Sequence, residues 1–138
     1  MTKLFLQFGL MLSVFASGLT LAASPSADDV ELYIVTPADN ATVTSPVKVV
    51  FGLSGMGVAP AGVERANTGH HHLLIDHDEL PEPGKPMGGD VRHFGGGQTE
   101  VELTLEPGQH TLQLILGDHF HVPHEPMVVS KKITIFVE

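Results

Sequence analysis

Three consecutive histidines, His70-His71-His72, lead into an apolar run, Leu73-Leu74-Ile75, that ends at Asp76. A second group, Asp118-His119-Phe120-His121-Val122-Pro123-His124, closes another apolar run further along. Neutral imidazole is the commonest protein ligand for transition metals, and it is available near pH 7 because its unperturbed pKa is about 6.5. The chain holds nine His, no Cys and only seven Lys plus Arg. That allocation points to a divalent metal ion. Copper comes first, since nitrogen donors bind Cu(II) most tightly among the common divalent ions, and zinc or nickel suits the same donors. The lack of Cys excludes thiolate sites and a Cys-containing blue-copper centre.

Successive side chains on a strand point to opposite faces. His70 and His72 therefore share one face with Leu74 and Asp76, while His71 falls with Leu73, Ile75 and His77. Two imidazoles at i and i+2 stand side by side, and this pair is expected on an exposed face as two ligands of one metal. His93 and His121 are expected to join them where strand ends converge, with His124, just past Pro123, reaching back. The candidate ligand set is thus His70, His72, His93, His121 and His124. His71 reads equally as a ligand or as a buried imidazole hydrogen-bonded to backbone. His110, beside a turn, reads as structural, and His119 fits a weaker outer site. Met87 and Met127 offer thioethers suited to Cu(I), although core filling is the ordinary role of Met.

The elements that must position these residues are short and rich in Val, Ile, Thr and Leu. Strands are expected near 30–35, 47–53, 71–75, 99–105, 111–116 and 128–137. Glu100-Val101-Glu102-Leu103-Thr104-Leu105 alternates strictly, and Glu106-Pro107-Gly108-Gln109 after it reads as the tight turn of an antiparallel hairpin. No segment carries a long helical stripe. The pattern predicts an all-β fold, an immunoglobulin-like antiparallel β-sandwich of about six or seven strands. Two long Gly- and Pro-rich connections, 54–69 and 77–97, flank the triple-His strand, and loops of that length in a small domain tend to be functional. The Gly95-Gly96-Gly97 run lacks the Lys and helix of a phosphate loop.

The N-terminus carries an address. Lys3, the apolar run 4–16 and the small residues Ala22-Ala23 have the layout of a secretory signal peptide over residues 1–23, with cleavage after Ala22 or Ala23. Residues 24–29 then read as a flexible leader and 30–138 as one His-rich domain. A periplasmic or secreted location follows, with no lipid-anchor cysteine and no membrane span expected. Without Lys3, six Lys plus Arg face sixteen Asp plus Glu, a formal charge of −10. Such a surface repels phosphate backbones and excludes nucleic acid as a natural partner.

The strings GHHHLLID (69–76), HFGGGQTE (93–100), LEPGQHTLQLILGD (105–118) and HVPHEP (121–126) resemble a family of small secreted bacterial proteins catalogued as a domain of unknown function. The resemblance runs from Val30 to the C-terminus. It implies a shared fold and a shared site, carried at Gly69 to His72, Asp76, His93, Gly95, Gly97 to Thr99, Pro107, Gly108, His110, Asp118 and His121. His77, His119 and His124 are less characteristic of that pattern. It supplies no activity. The chain shows no nucleophile elbow and no thiol nucleophile, and one Tyr with no Trp leaves little for sugar stacking. The leading expectation is a periplasmic metal-binding protein for buffering or delivery, with a periplasmic protein as a candidate partner. An immunoglobulin-like module for an envelope, glycan or protein ligand is the alternative. A small metalloenzyme, in which Asp76, Asp78 and Glu79 assist hydrolysis, ranks third.

Overall fold

The β-branched runs become strands because their side chains pack well on a pleated, half-buried surface. The computed structural model describes residues 22–138, so nearly all of the expected signal peptide lies outside the described residues. Nine strands follow in order: β1 (Glu31–Thr36), β2 (Ala41–Val43), β3 (Val47–Ser54), β4 (Gly57–Val58), β5 (Thr68–Ile75), β6 (Arg92–His93), β7 (Glu100–Leu103), β8 (Gly108–Gly117) and β9 (Ile133–Val137). Six of these are the expected runs. The additional β2, β4 and β6 are two or three residues long, too short for an alternating pattern to show.

One sheet has the order β1-β3-β7 and the other β2-β9-β8-β5-β4, with β6 also paired to β5. The long pairings are antiparallel, while the short pairs β2–β9 and β4–β5 are parallel. Inner-face residues of both sheets meet in one core, Val49, Phe51 and Leu103 from the first and Leu73, Leu114 and Ile135 from the second. Each such aliphatic side chain removed from water contributes roughly 1.5–3 kcal/mol. The molecule is an all-β sandwich.

The Glu106–Gln109 turn does not close a hairpin. β7 pairs with β3 and β8 pairs with β5 and β9, so this connection crosses from one sheet to the other. Alternation places Leu103 and Leu112 in the core but is silent about which sheet each strand joins. The last expected strand is also divided. Its second half is β9, while Val128–Ser130 runs beside the upper half of β8. Between them Ser130 intervenes, its hydroxyl taking the Leu114 N–H and donating to the Lys131 carbonyl. The first residues of the expected leader, Ser24 to Ser26, lie against Glu125. Glu125 N–H donates to Ser24 O at 3.0 Å and Ser26 N–H to Glu125 O at 3.2 Å.

Candidate metal centre

β5 carries the chemistry because its two faces meet different surroundings. His71, Leu73 and Ile75 turn inward, and the His71 ring lies 5.1 Å from that of Phe51. His70, His72 and Leu74 turn to the outer face of the larger sheet. That face is covered, contrary to the exposed placement expected for the His pair. Residues of the 77–91 connection fold over it, with Val91 and Met87 packing against Leu74 and Ile115 in a second small core. His70 and His72 are consequently 0% and 1% exposed.

Two further imidazoles arrive by separate routes. His93 stands on β6 directly opposite His72 in the β5–β6 register. His121 sits at φ +65° in a turn closed by Asp118: His121 N–H donates to Asp118 O and Asp118 N–H to Val122 O, each at 2.9 Å. The Asp118 carboxylate braces the same turn by accepting Phe120 N–H at 2.9 Å and Val122 N–H at 3.0 Å. This is an Asx-type turn, in which a short acidic side chain replaces backbone partners.

The four rings of His70, His72, His93 and His121 converge. One ligating nitrogen from each lies within 4.8 Å of all the others. Ring centroids are 4.6 Å apart for His70–His72 and for His93–His121, and His70 Nε2 lies 3.1 Å from His121 Nδ1. His70 Nδ1 and His72 Nδ1 are buried without a hydrogen-bond partner among the described residues. Burial pushes His70 down to about 4, with the neighbouring imidazoles His121 and His93 adding to the effect. Burial and the other three rings push His72 down to about 3. Burial, then His121, also holds His93 below its usual value. Imidazoles that refuse protons keep their lone pairs for another cation. Beside the cluster a depression of about 250 Å³ is bordered by His72, His93, His121 and Met87.

Gly117 makes this convergence sterically feasible. It pairs with His70 across β5–β8, and a Cβ there would lie 2.6 Å from His72 Cε1 and 2.8 Å from Met87 Cε. Sequence reasoning did not single out Gly117, nor the brace formed by Asp118. An Asp followed by two residues and His121 carried the Asx-turn signal for the second.

The remaining histidines lie elsewhere. His124, expected as a ligand, is not brought into the cluster; its two ring nitrogens face the Leu116 and Thr68 carbonyls at 3.4 and 3.2 Å. His71 is buried, and among the described residues neither ring nitrogen makes a well-formed hydrogen bond, the Gln98 backbone being the polar group beside it. His110 is held between Asp76 Oδ2 at 2.7 Å and the Glu106 carbonyl at 2.9 Å, and the Asp76 hydrogen bond raises its pKa. Asp76, invoked above for assisted hydrolysis, is thus engaged with His110 and the Thr111 N–H. His77 donates to Asp90 O, and His119 stacks on Phe120 at 4.1 Å.

The fold and the cluster together define a β-sandwich protein with a largely buried four-histidine centre able to hold a metal ion. The chain belongs to the family described as a domain of unknown function (DUF4399), whose model matches residues 49–138. That match begins inside β3, later than the Val30 start suggested by the resemblance. No curated protein and no solved structure matches the chain.

Proposed function

We propose that this protein is an exported metal-binding protein in which His70, His72, His93 and His121 hold one transition-metal ion for buffering or delivery in the periplasm. The observation that carries this reading is the convergence of four imidazole nitrogens within 4.8 Å, two of the rings being fully buried. Burying the His70 and His72 rings beside two further imidazoles costs free energy unless something satisfies them, and a cation accepting the lone pairs of all four does so. An all-imidazole set without thiolate or carboxylate favours copper over zinc or nickel by the divalent affinity order. Met87 at the edge of the cluster supports copper further, because its thioether suits Cu(I).

A second reading, a small metalloenzyme, draws support from one feature. His93 is exposed and faces the open depression, so a small molecule has a path to that side of the centre.

Titration of the protein with Cu(II), Zn(II) and Ni(II), beside a His70→Ala/His72→Ala variant, tests the reading. Stoichiometric binding, tightest for copper and lost in the variant, is the expected result. Binding no tighter than that of a surface His pair, or equal binding by the variant, would overturn it.

A further inference from the structure

Asp118 is 2% exposed, and among the described residues no cation pairs with its carboxylate. Its Oδ1 is satisfied by the Phe120 and Val122 N–H groups. Among the described residues its Oδ2 accepts from Ser24 alone, from the hydroxyl at 2.9 Å and the backbone N–H at 3.3 Å. None of the ion pairs among the described residues includes Asp118. Arg65, His119 and His124 border the same cavity of about 230 Å³ without pairing with the carboxylate. A buried carboxylate served only by neutral donors lacks the counter-charge that normally accompanies such burial.

Ser24 N is the one donor in this arrangement that a proteolytic cut turns into a cation. We infer that the exported protein begins at Ser24 and that its freed α-ammonium forms a buried ion pair with Asp118 beneath the turn that holds His121. The inference rests on the export reading above. Hydrolysis of the Ala23–Ser24 bond consumes one water, leaves a carboxylate on Ala23 of the departing leader and frees an amine on Ser24. That amine takes a proton at neutral pH, its ordinary pKa being about 8.

The small residues Ala22-Ala23 allow cleavage at either of two bonds; the surroundings of Ser24 favour the second. Cleavage after Ala22 would leave Ser24 N an amide and place the ammonium one residue away from the carboxylate. The backbone contacts between Ser24, Ser26 and Glu125 already hold Ser24 N towards Asp118. An ammonium there gains a charge-assisted contact while the serine hydroxyl keeps its own. The pair would also tie leader removal to the metal centre, because Asp118 braces the His121 turn.

The test has two arms. The full-length precursor is produced in a bacterium, and the intact mass of the product from the periplasmic fraction is measured. A chain starting at Ser24 is expected. A start at Ala23 or at any other residue overturns the inference while leaving export intact, and an uncleaved, unexported chain sinks both. In the second arm the Ser24-start product is compared with one starting at Ala23, each also carrying Asp118→Asn. The Ser24 form is expected to melt about 5 °C higher, as one added charge pair in a domain of this size would produce. In the Asp118→Asn background that gap should vanish. Equal melting temperatures, or a gap that persists without the carboxylate, would overturn the pair.

Discussion

At the residue scale, the histidines divide by what faces their nitrogens. His124→Ala removes a ring directed at two backbone carbonyls, so metal affinity should be unchanged while stability falls by about 2 kcal/mol, read by denaturant unfolding. The His70→Ala/His72→Ala variant should do the reverse for affinity, which separates structural from ligating imidazoles in one titration series. Gly117→Ala places a methyl group 2.6 Å from the His72 ring. Met87 has free rotors and gives way, but His72 is walled in by His70, His93 and His121. We expect that substitution to weaken metal binding about 10- to 100-fold, as loss of ligand orientation does elsewhere. Unaltered affinity in Gly117→Ala would show that the cluster does not depend on this close approach.

At the scale of the element, β5 was the most legible part of the chain. The period of two sets His70 with His72 and against His71, and the register across to β8 and β6 keeps that division. The covering of the outer face was not legible, because the 77–91 connection that covers it has no periodicity to read. Nor was the crossing between β7 and β8, since a strand's own alternation reports burial and not its neighbours. His124 was misplaced for a related reason: proximity in sequence to His121 says nothing of which way the chain turns after Pro123. On the inner face, neither His71 nitrogen makes a well-formed hydrogen bond among the described residues, and the Gln98 backbone is its one polar neighbour of note. His71→Leu should therefore leave the melting temperature unchanged or raise it, since it removes unsatisfied polar atoms at similar volume. A large drop would reveal a partner for this ring.

At the scale of the whole molecule, the buried imidazoles make the metal-free protein sensitive to acid. Burial pushes His70 and His71 to about 4 and His72 to about 3 in the folded state. In the unfolded chain each titrates near 6.5. Above about pH 6.5 neither state protonates them and they confer no pH dependence. As pH falls below that value, the unfolded chain binds protons that the folded chain refuses, and stability declines until pH approaches 3. His110 works the other way. Its raised pKa adds stability below about 6.5 that is lost as pH rises through its folded value, but it is one half-buried group against three buried ones. Thermal melts of the metal-free protein from pH 7 to pH 4 should show this decline. Adding copper at a hundredfold excess over its dissociation constant should add about 2.7 kcal/mol of stability at pH 7.

The two faces of β5 also connect packing to selectivity. The strand that presents half of the ligand set has its other side, His71, Leu73 and Ile75, wedged against Phe51 and the rest of the core, so a bound ion cannot draw His70 and His72 together or push them apart at little cost. The spacing between those imidazoles is inherited from a hydrocarbon interior that never touches the metal. Preference among ions of different size and geometry would then be heritable through substitutions in that interior, and Phe51→Leu, a change without any coordinating atom, would alter the ratio of copper to zinc affinity.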